Sequence, residues 1–299
     1  MVDTEVVTEA GGDPTLGYET RSTLELVELM NEADATVAGA VAIAAPQIAP
    51  AVDAIAERLR AGGRLVYVGA GSSGLIAALD AAECEATFSV PPGVVVALVA
   101  GGFGSAPLAQ AGAEDDRAGG AADVRALAVR ATDAVVGVSA SGNTPYVLGA
   151  LHAAQETGAL TVAVVAAPGS ELGEVVEHQI AAVVGPEFIA GSTRLKAGTA
   201  QKLVLNTIST VTMIRLGKTY GNLMVDVAPA NEKLAARVQR IVATASGASD
   251  AQVDEALAAA NGDARVAIVS LLADVDADAA RRRLDASNRS IAAALELAE

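Results

Sequence analysis

The sequence predicts an α/β fold: a doubly wound five-stranded parallel sheet with N-terminal helices and a small C-terminal helical subdomain. Three observations lead there. Five short β-rich runs, Arg64–Val68, Val94–Ala100, Asp133–Ser139, Leu160–Ala166 and Gln179–Val184, alternate with helix-like stretches, the pattern of a parallel sheet wound through crossover helices. Hydrophobic residues make up 52% of the chain but aromatics only 2%, without tryptophan, so the core is built from Ala, Val, Leu and Ile, which suits a sheet buried on both faces. A glycine and serine turn joins the first run to its following helix, where open parallel sheets bind ligands.

In chain order, the first sixteen residues carry no periodic pattern and are expected to be unstructured. Ser22 to Leu59 reads as two long helices, with Ser22-Thr23-Leu24-Glu25 as a capping box in which the serine hydroxyl and the glutamate satisfy each other's backbone N–H groups. The alternating runs follow. Ser192 to Leu216 reads as one long helix, and from Asn231 onward helices are broken at Gly247 and Gly262, an appendage whose plain role is packing. The expected division is therefore 1–50 for the N-terminal helices, 51–230 for the sheet domain and 231–299 for the helical subdomain.

Composition excludes several classes. A chain of 299 residues is long enough for an extensive core, and its net charge of −16, spread along its length, argues against nucleic acid and against anionic membrane surfaces as partners. An anionic substrate then needs locally placed dipoles and cations. One cysteine excludes an intrachain disulfide framework, and no signal peptide or membrane-spanning stretch is seen, so a cytoplasmic protein is expected.

Gly69-Ala70-Gly71-Ser72-Ser73-Gly74 follows the first strand, and the stretch after it ends on Glu83. N–H groups freed at a helix start, helped by the helix dipole, favour an anion, and glycines let the backbone come close. The pattern matches the dinucleotide fingerprint. Two hydroxyls, Ser72 and Ser73, argue against that ligand, as does the second strand, which ends in Ala100-Gly101-Gly102 with no carboxylate for a ribose. Taken alone, the turn fits a phosphate site or a purely structural tight turn.

The third strand ends in Ser139-Ala140-Ser141-Gly142-Asn143-Thr144-Pro145, where Thr144 can cap a helix and Pro145 suits its first turn. Such a loop is usually a capped turn. Two of them at strand ends of one sheet point to a phosphorylated ligand held by Gly71, Ser72, Ser73, Ser139, Ser141, Asn143 and Thr144 across one crevice. A third hydroxyl cluster, Ser192-Thr193, opens the long helix that carries Arg194, Lys196 and Lys202, cations in a chain poor in them. The plain alternative for Arg194 and Lys196 is an ion pair with a neighbouring helix.

Gly69–Gly74, Leu79-Asp80-Ala81-Ala82-Glu83-Cys84, Thr87-Phe88, Val90-Pro91-Pro92, Ala113-Glu114-Asp115-Asp116, Ser139–Gly142, Thr144–Val147 and the long run from Gly191 to Asn206 together resemble the N-acetylmuramic acid 6-phosphate etherase family. The resemblance runs from about Ser22 to about Asp226. Its later block, through Ile214–Lys218 and Tyr220–Asp226, sets it apart from other phosphosugar domains of the sugar-isomerase (SIS) type. It implies a homodimeric three-layer αβα SIS-type fold that releases D-lactate from N-acetylmuramic acid 6-phosphate without metal or redox cofactor. It also implies that Glu83 and Glu114 are catalytic and that Ser192, Thr193 and Lys196 belong to the substrate site.

The residue types suit that chemistry. An open-chain aldehyde acidifies the C2 proton, a base removes it, an acid protonates the departing lactate oxygen, and water then adds across the double bond. Carboxylates can do both jobs. On spacing alone, Glu83 is an exposed residue near a helix end, Glu114-Asp115-Asp116 a solvated acidic turn, and Cys84 a small packing residue. The chain departs from the family pattern at Leu75, where arginine is usual, at Glu85-Ala86, where a proline pair is usual, and at Thr8–Gly12. Two rival functions stay open on the same fold: an aldose/ketose phosphosugar isomerase and a non-catalytic phosphosugar sensor.

Overall fold

A computed structural model describes residues 17–102, 112–226 and 232–297. The first sixteen residues, including Thr8–Gly12, lie outside the described residues. Five parallel strands, β1 (Leu65–Gly69), β2 (Val95–Val99), β3 (Ala134–Val138), β4 (Leu160–Val165) and β5 (His178–Ala181), form one sheet in the order β2-β1-β3-β4-β5. The chain leaves β1 for β2 on one side and returns to place β3 on the other, so the winding reverses between β1 and β3. Every residue of β1, β3 and β4 is buried, as a sheet covered on both faces requires.

Ser22 and Glu25 form the expected capping box at the start of α1 (Thr23–Ala35). The segment predicted as two helices is divided once more, into α1, α2 (Val37–Ile43) and α3 (Ala45–Arg60). Thr36 separates the first two, its hydroxyl returning 2.7 Å to the Ala33 carbonyl, and the axis bends by 59° at Ala44, beside Pro46, which lacks the N–H needed to continue the helix. Helix α3 packs on β3, β4 and β5.

Among the described residues, the crossovers of the sheet carry α4 (Gly71–Phe88), α5 (Arg117–Ala126), α6 (Pro145–Glu156) and the short α7 (Glu171–Val175). Helices α5 and α6 meet backbone to backbone: a side chain on Gly120 would lie 1.9 Å from the Tyr146 carbonyl oxygen, and one on Gly149 1.9 Å from that of Arg117. The Tyr146 hydroxyl donates to Asp123 Oδ2 at 2.6 Å across the same contact. Helix α8 (Lys196–Arg215) follows β5.

The chain resolves into two compact units, one of Met1–Ala82 with Pro92–Ser209 and the other of Glu83–Pro91 with Thr210–Glu299. Within the second unit, a hairpin of β6 (Thr219–Tyr220) and β7 (Leu223–Met224) precedes α9 (Glu232–Ser246), α10 (Asp250–Ala259), α11 (Ala264–Ala273), α12 (Ala277–Ala286) and α13 (Ile291–Glu296). The breaks predicted at Gly247 and Gly262 fall between these helices. Asp226 holds both Lys218 and, at 2.7 Å, Arg265, while the helices close on a core that includes Val242, Ala267, Ile268 and Leu284.

Candidate active site

Between β1 and α4 each glycine of the Gly69–Gly74 turn has its own requirement. A Cβ on Gly74 would stand 2.8 Å from the Gly69 carbonyl oxygen and 2.8 Å from Val99 Cγ1, and one on Gly69 would stand 2.7 Å from the Gly74 nitrogen. Both allow the helix to start against the strand. Gly71 has φ 52°, with open space around its Cα. The first bond of the helix runs from the Gly74 N–H to the Ala70 carbonyl at 3.1 Å, which leaves the N–H groups of Gly71, Ser72 and Ser73 without helical acceptors. Ser72 is exposed and Ser73 half-buried.

The loop after β3 begins at the same level, because Gly69 pairs with Val138 across the sheet. Its hub is Ser139 Oγ, buried, 2.8 Å from Thr144 Oγ1, 3.4 Å from Ser141 Oγ, and accepting from the Gly142 N–H at 3.0 Å. Thr144 stands at the N-cap of α6 with Pro145 next, as predicted, but its hydroxyl turns to Ser139 and makes no cap bond. The N-terminus of α6 is thereby left without a side-chain cap. Asn143 Oδ1 accepts from the Glu171 N–H at 3.0 Å, so this side chain braces the loop against α7. Two helix starts on neighbouring strands, at the reversal of the winding, bring hydroxyl and N–H donors to the same edge of the sheet, the donor set that an anion requires.

Glu114 lies in the single turn Ala113–Asp115, exposed to solvent, just before α5, whose N-cap is the Asp116 carboxylate accepting from Gly119 N–H at 2.8 Å. Glu83 is exposed on α4, eleven residues beyond Ser72 and so about 16 Å along the helix axis. It belongs to the second compact unit.

The third hydroxyl cluster is arranged differently from the prediction. Helix α8 starts at Lys196, and Ser192 and Thr193 sit in the preceding turn, half-buried. Glu187 is the reason: its buried carboxylate accepts from the Lys196 N–H at 2.9 Å and the Ala197 N–H at 2.9 Å, and so fills the helix start with the chain's own anion. Lys196 is 7% exposed, and its ammonium donates to the Val184 carbonyl at 2.7 Å. Arg194 and Lys202 are exposed. Sequence reading missed Glu187, because a cap nine residues from its helix leaves no local signature.

Among the described residues, no group of three or more His, Cys, Asp and Glu side chains is placed to hold a metal ion, and no single helix is long and apolar enough to cross a membrane. Tyr146, behind the start of α6, has its hydroxyl pushed well above the usual tyrosine range by burial and by its bond to Asp123. It stays a neutral donor.

Comparison with known proteins bears on the fold and the family. Residues 47–155 match the model of the glucokinase regulatory protein N-terminal SIS domain. A phosphoheptose isomerase structure from Francisella tularensis superposes with a TM-score of 0.51 at 19% identity, covering 65% of this chain and all of that one, a likeness of fold. The chain is 55% identical to the N-acetylmuramic acid 6-phosphate etherase of Rubrobacter xylanophilus over 97% of its own length and 96% of that protein, and 54% identical to that of Streptomyces avermitilis over 92% and 89%. At such identity over nearly the whole length, the chain belongs to the N-acetylmuramic acid 6-phosphate etherase family.

Proposed function

We propose that the protein cleaves the D-lactyl ether of N-acetylmuramic acid 6-phosphate by elimination and hydration, giving N-acetylglucosamine 6-phosphate and D-lactate in the recycling of cell-wall amino sugars. The observation that carries this reading is the near full-length identity to proteins named for that activity, in a chain that keeps both Glu83 and Glu114. The isomerase structures resemble this chain in fold alone, at identities near 19%. A sensor has no use for an acid/base pair.

In this reading the phosphate sits against the N–H groups and hydroxyls of Gly71, Ser72, Ser73, Ser139, Ser141 and Thr144, with the Asn143 amide beside them. One glutamate takes the C2 proton of the open-chain sugar and the other, in its acid form, protonates the lactate oxygen as the C3–O bond breaks. The same pair then delivers water to C3 and returns a proton to C2, so that one water is consumed and one lactate released. Ser192, Thr193 and Lys196 form a wall of the site in which Lys196, already bound to Val184, acts through position rather than by direct phosphate contact.

The working unit in this proposal is a homodimer in the cytoplasm. Two features support a second copy. Helix α1 buries none of its residues and exposes Leu24 and Val27 at 66% and 56%, and α4 exposes Leu79 at 57% one turn from Glu83. The distance of about 16 Å along α4 between Ser72 and Glu83 also exceeds the span of a hexose phosphate from phosphorus to C2, even with the glutamate leaning back along the helix. Glu83 therefore serves a phosphate other than one held at the start of its own helix.

Incubation with N-acetylmuramic acid 6-phosphate in heavy-oxygen water tests the reaction: lactate is released and the label enters the sugar at C3. Absence of lactate at any enzyme concentration would overturn the proposal.

A further inference from the structure

Asp80 is a buried carboxylate, 4% exposed, that the reaction does not use. It sits on α4 three residues before Glu83. Its Oδ2 accepts from the Tyr67 hydroxyl at 2.8 Å, and its Oδ1 accepts from Asn206 Nδ2 at 2.6 Å and from Ser209 Oγ at 3.1 Å. Three elements, β1, α4 and α8, thus meet at one side chain, and among the described residues it forms no ion pair. A buried carboxylate held only by neutral donors is costly compared with an apolar residue of the same size.

The rest of the inward face of α4 shows what that cost maintains. The buried positions of the helix are Gly74, Ala77, Asp80, Ala81, Cys84 and Phe88, so most of the contact is made by small side chains. Small, smooth contacts bury area but resist rotation of the helix about its axis poorly. Hydrogen bonds are directional, and those of Asp80 give this face fixed points.

We propose that Asp80 is a positioning residue: its three hydrogen bonds set the rotation of α4 and, one turn later, the direction in which Glu83 leaves the helix. The proposal rests on the etherase reading for its activity readout. The expected signature is a fall in kcat with the phosphate site intact, because the Gly69–Gly74 turn is held independently by the close contact of Gly69 with Gly74.

The test compares Asp80→Asn with Asp80→Ala in the full-length protein. Asparagine keeps an acceptor for Asn206 and Ser209 and offers its amide to the Tyr67 oxygen; alanine loses every contact. Asp80→Ala is expected to lower kcat by about tenfold or more, with KM and the affinity for N-acetylglucosamine 6-phosphate changed by less than about threefold, and Asp80→Asn to recover most of the loss. Equal losses in the two variants, or a kcat in Asp80→Ala within about twofold of wild type, would overturn the proposal. If Asp80→Ala does not fold, Ser209→Ala and Asn206→Ala take its place, and an unchanged kcat in their double variant would overturn it. Hydrogen exchange gives a readout independent of lactate release: amides of Ala81 to Glu85 open faster in Asp80→Ala than in Asp80→Asn, and equal rates count against positioning. Wild-type protein that releases no lactate defeats the etherase reading alone.

Discussion

Glu187 and Lys196 are joined through the backbone: the carboxylate of the first accepts from the N–H of the second at 2.9 Å and from the next N–H, of Ala197, at 2.9 Å. The strongest anion seat on α8 is therefore occupied from within. A phosphate would have to displace that carboxylate, whereas Thr144 makes no cap bond at the helix start after β3.

Glu187→Ala removes a buried, charge-assisted cap and leaves two N–H groups without acceptors, so unfolding by urea should need about 1–3 kcal/mol less than for wild type. Affinity for inorganic phosphate should be unchanged in the folded variant. A second phosphate site at α8, seen by calorimetry, would contradict that expectation, and an unchanged stability would refute the assigned role.

The division between what was legible in the sequence and what was not follows from the range of the interactions. The strands were predicted within one to three residues because a run such as Leu65–Gly69 is apolar from end to end and bounded by turn residues. The same holds for the Ser22–Glu25 cap and the Thr144-Pro145 helix start, whose partners are three or four residues apart. Helix α8 starts later than the sequence suggests because Ser192-Thr193 offer local hydroxyls, while its cap comes from outside the helix. Asp80 went unread as an anchor for a related reason: its bonds reach Asn206 and Ser209, 126 and 129 residues away.

Gly74 and Gly71 make opposite demands and should fail differently. Gly74→Ala pushes a methyl group against the Gly69 carbonyl and Val99, so β1 and α4 must separate; a loss of about 1–3 kcal/mol is expected, with weaker binding of N-acetylglucosamine 6-phosphate. Gly71→Ala meets no atom but is held at φ 52°, a left-handed conformation costing an alanine about 1–2 kcal/mol. Denaturation curves and product calorimetry on the two variants separate steric from conformational cost. Product affinity preserved in Gly74→Ala would argue that the turn is not part of the phosphate site.

Ser139 ties its loop together, so Ser139→Ala should affect binding more than folding. Loss of its Oγ removes the acceptor of the Gly142 N–H and the partner of Thr144, freeing Thr144 to cap α6 and to compete with the phosphate for the helix start. A rise of about tenfold in KM with kcat changed less than about threefold is the expected result. The reverse pattern, an intact KM and a reduced kcat, would move the phosphate away from this loop.

Asp133 gives the molecule a predictable acid response. Burial by itself would raise its carboxyl group, but the Arg64 guanidinium and the backbone N–H groups of Arg130 and Arg64 outweigh that and hold it below the usual aspartate range. These bonds fasten the entry ends of β1 and β3, opposite the ends that carry the site. A carboxylate whose native value is depressed stabilises the fold fully above its unfolded value of about 4, and the contribution disappears as pH falls through the lower native value. Asp133→Asn should therefore be less stable than wild type by about 3 kcal/mol at pH 7, with the gap persisting at pH 5 and shrinking steadily below about pH 4. Urea midpoints measured for both proteins at pH 7, 5 and 3 decide the matter: a gap that stays constant down to pH 3 would mean that the charge of Asp133 is not what holds the two strands. Because the change lies at the far end of the sheet, kcat per folded molecule at pH 7 should stay within about twofold of wild type.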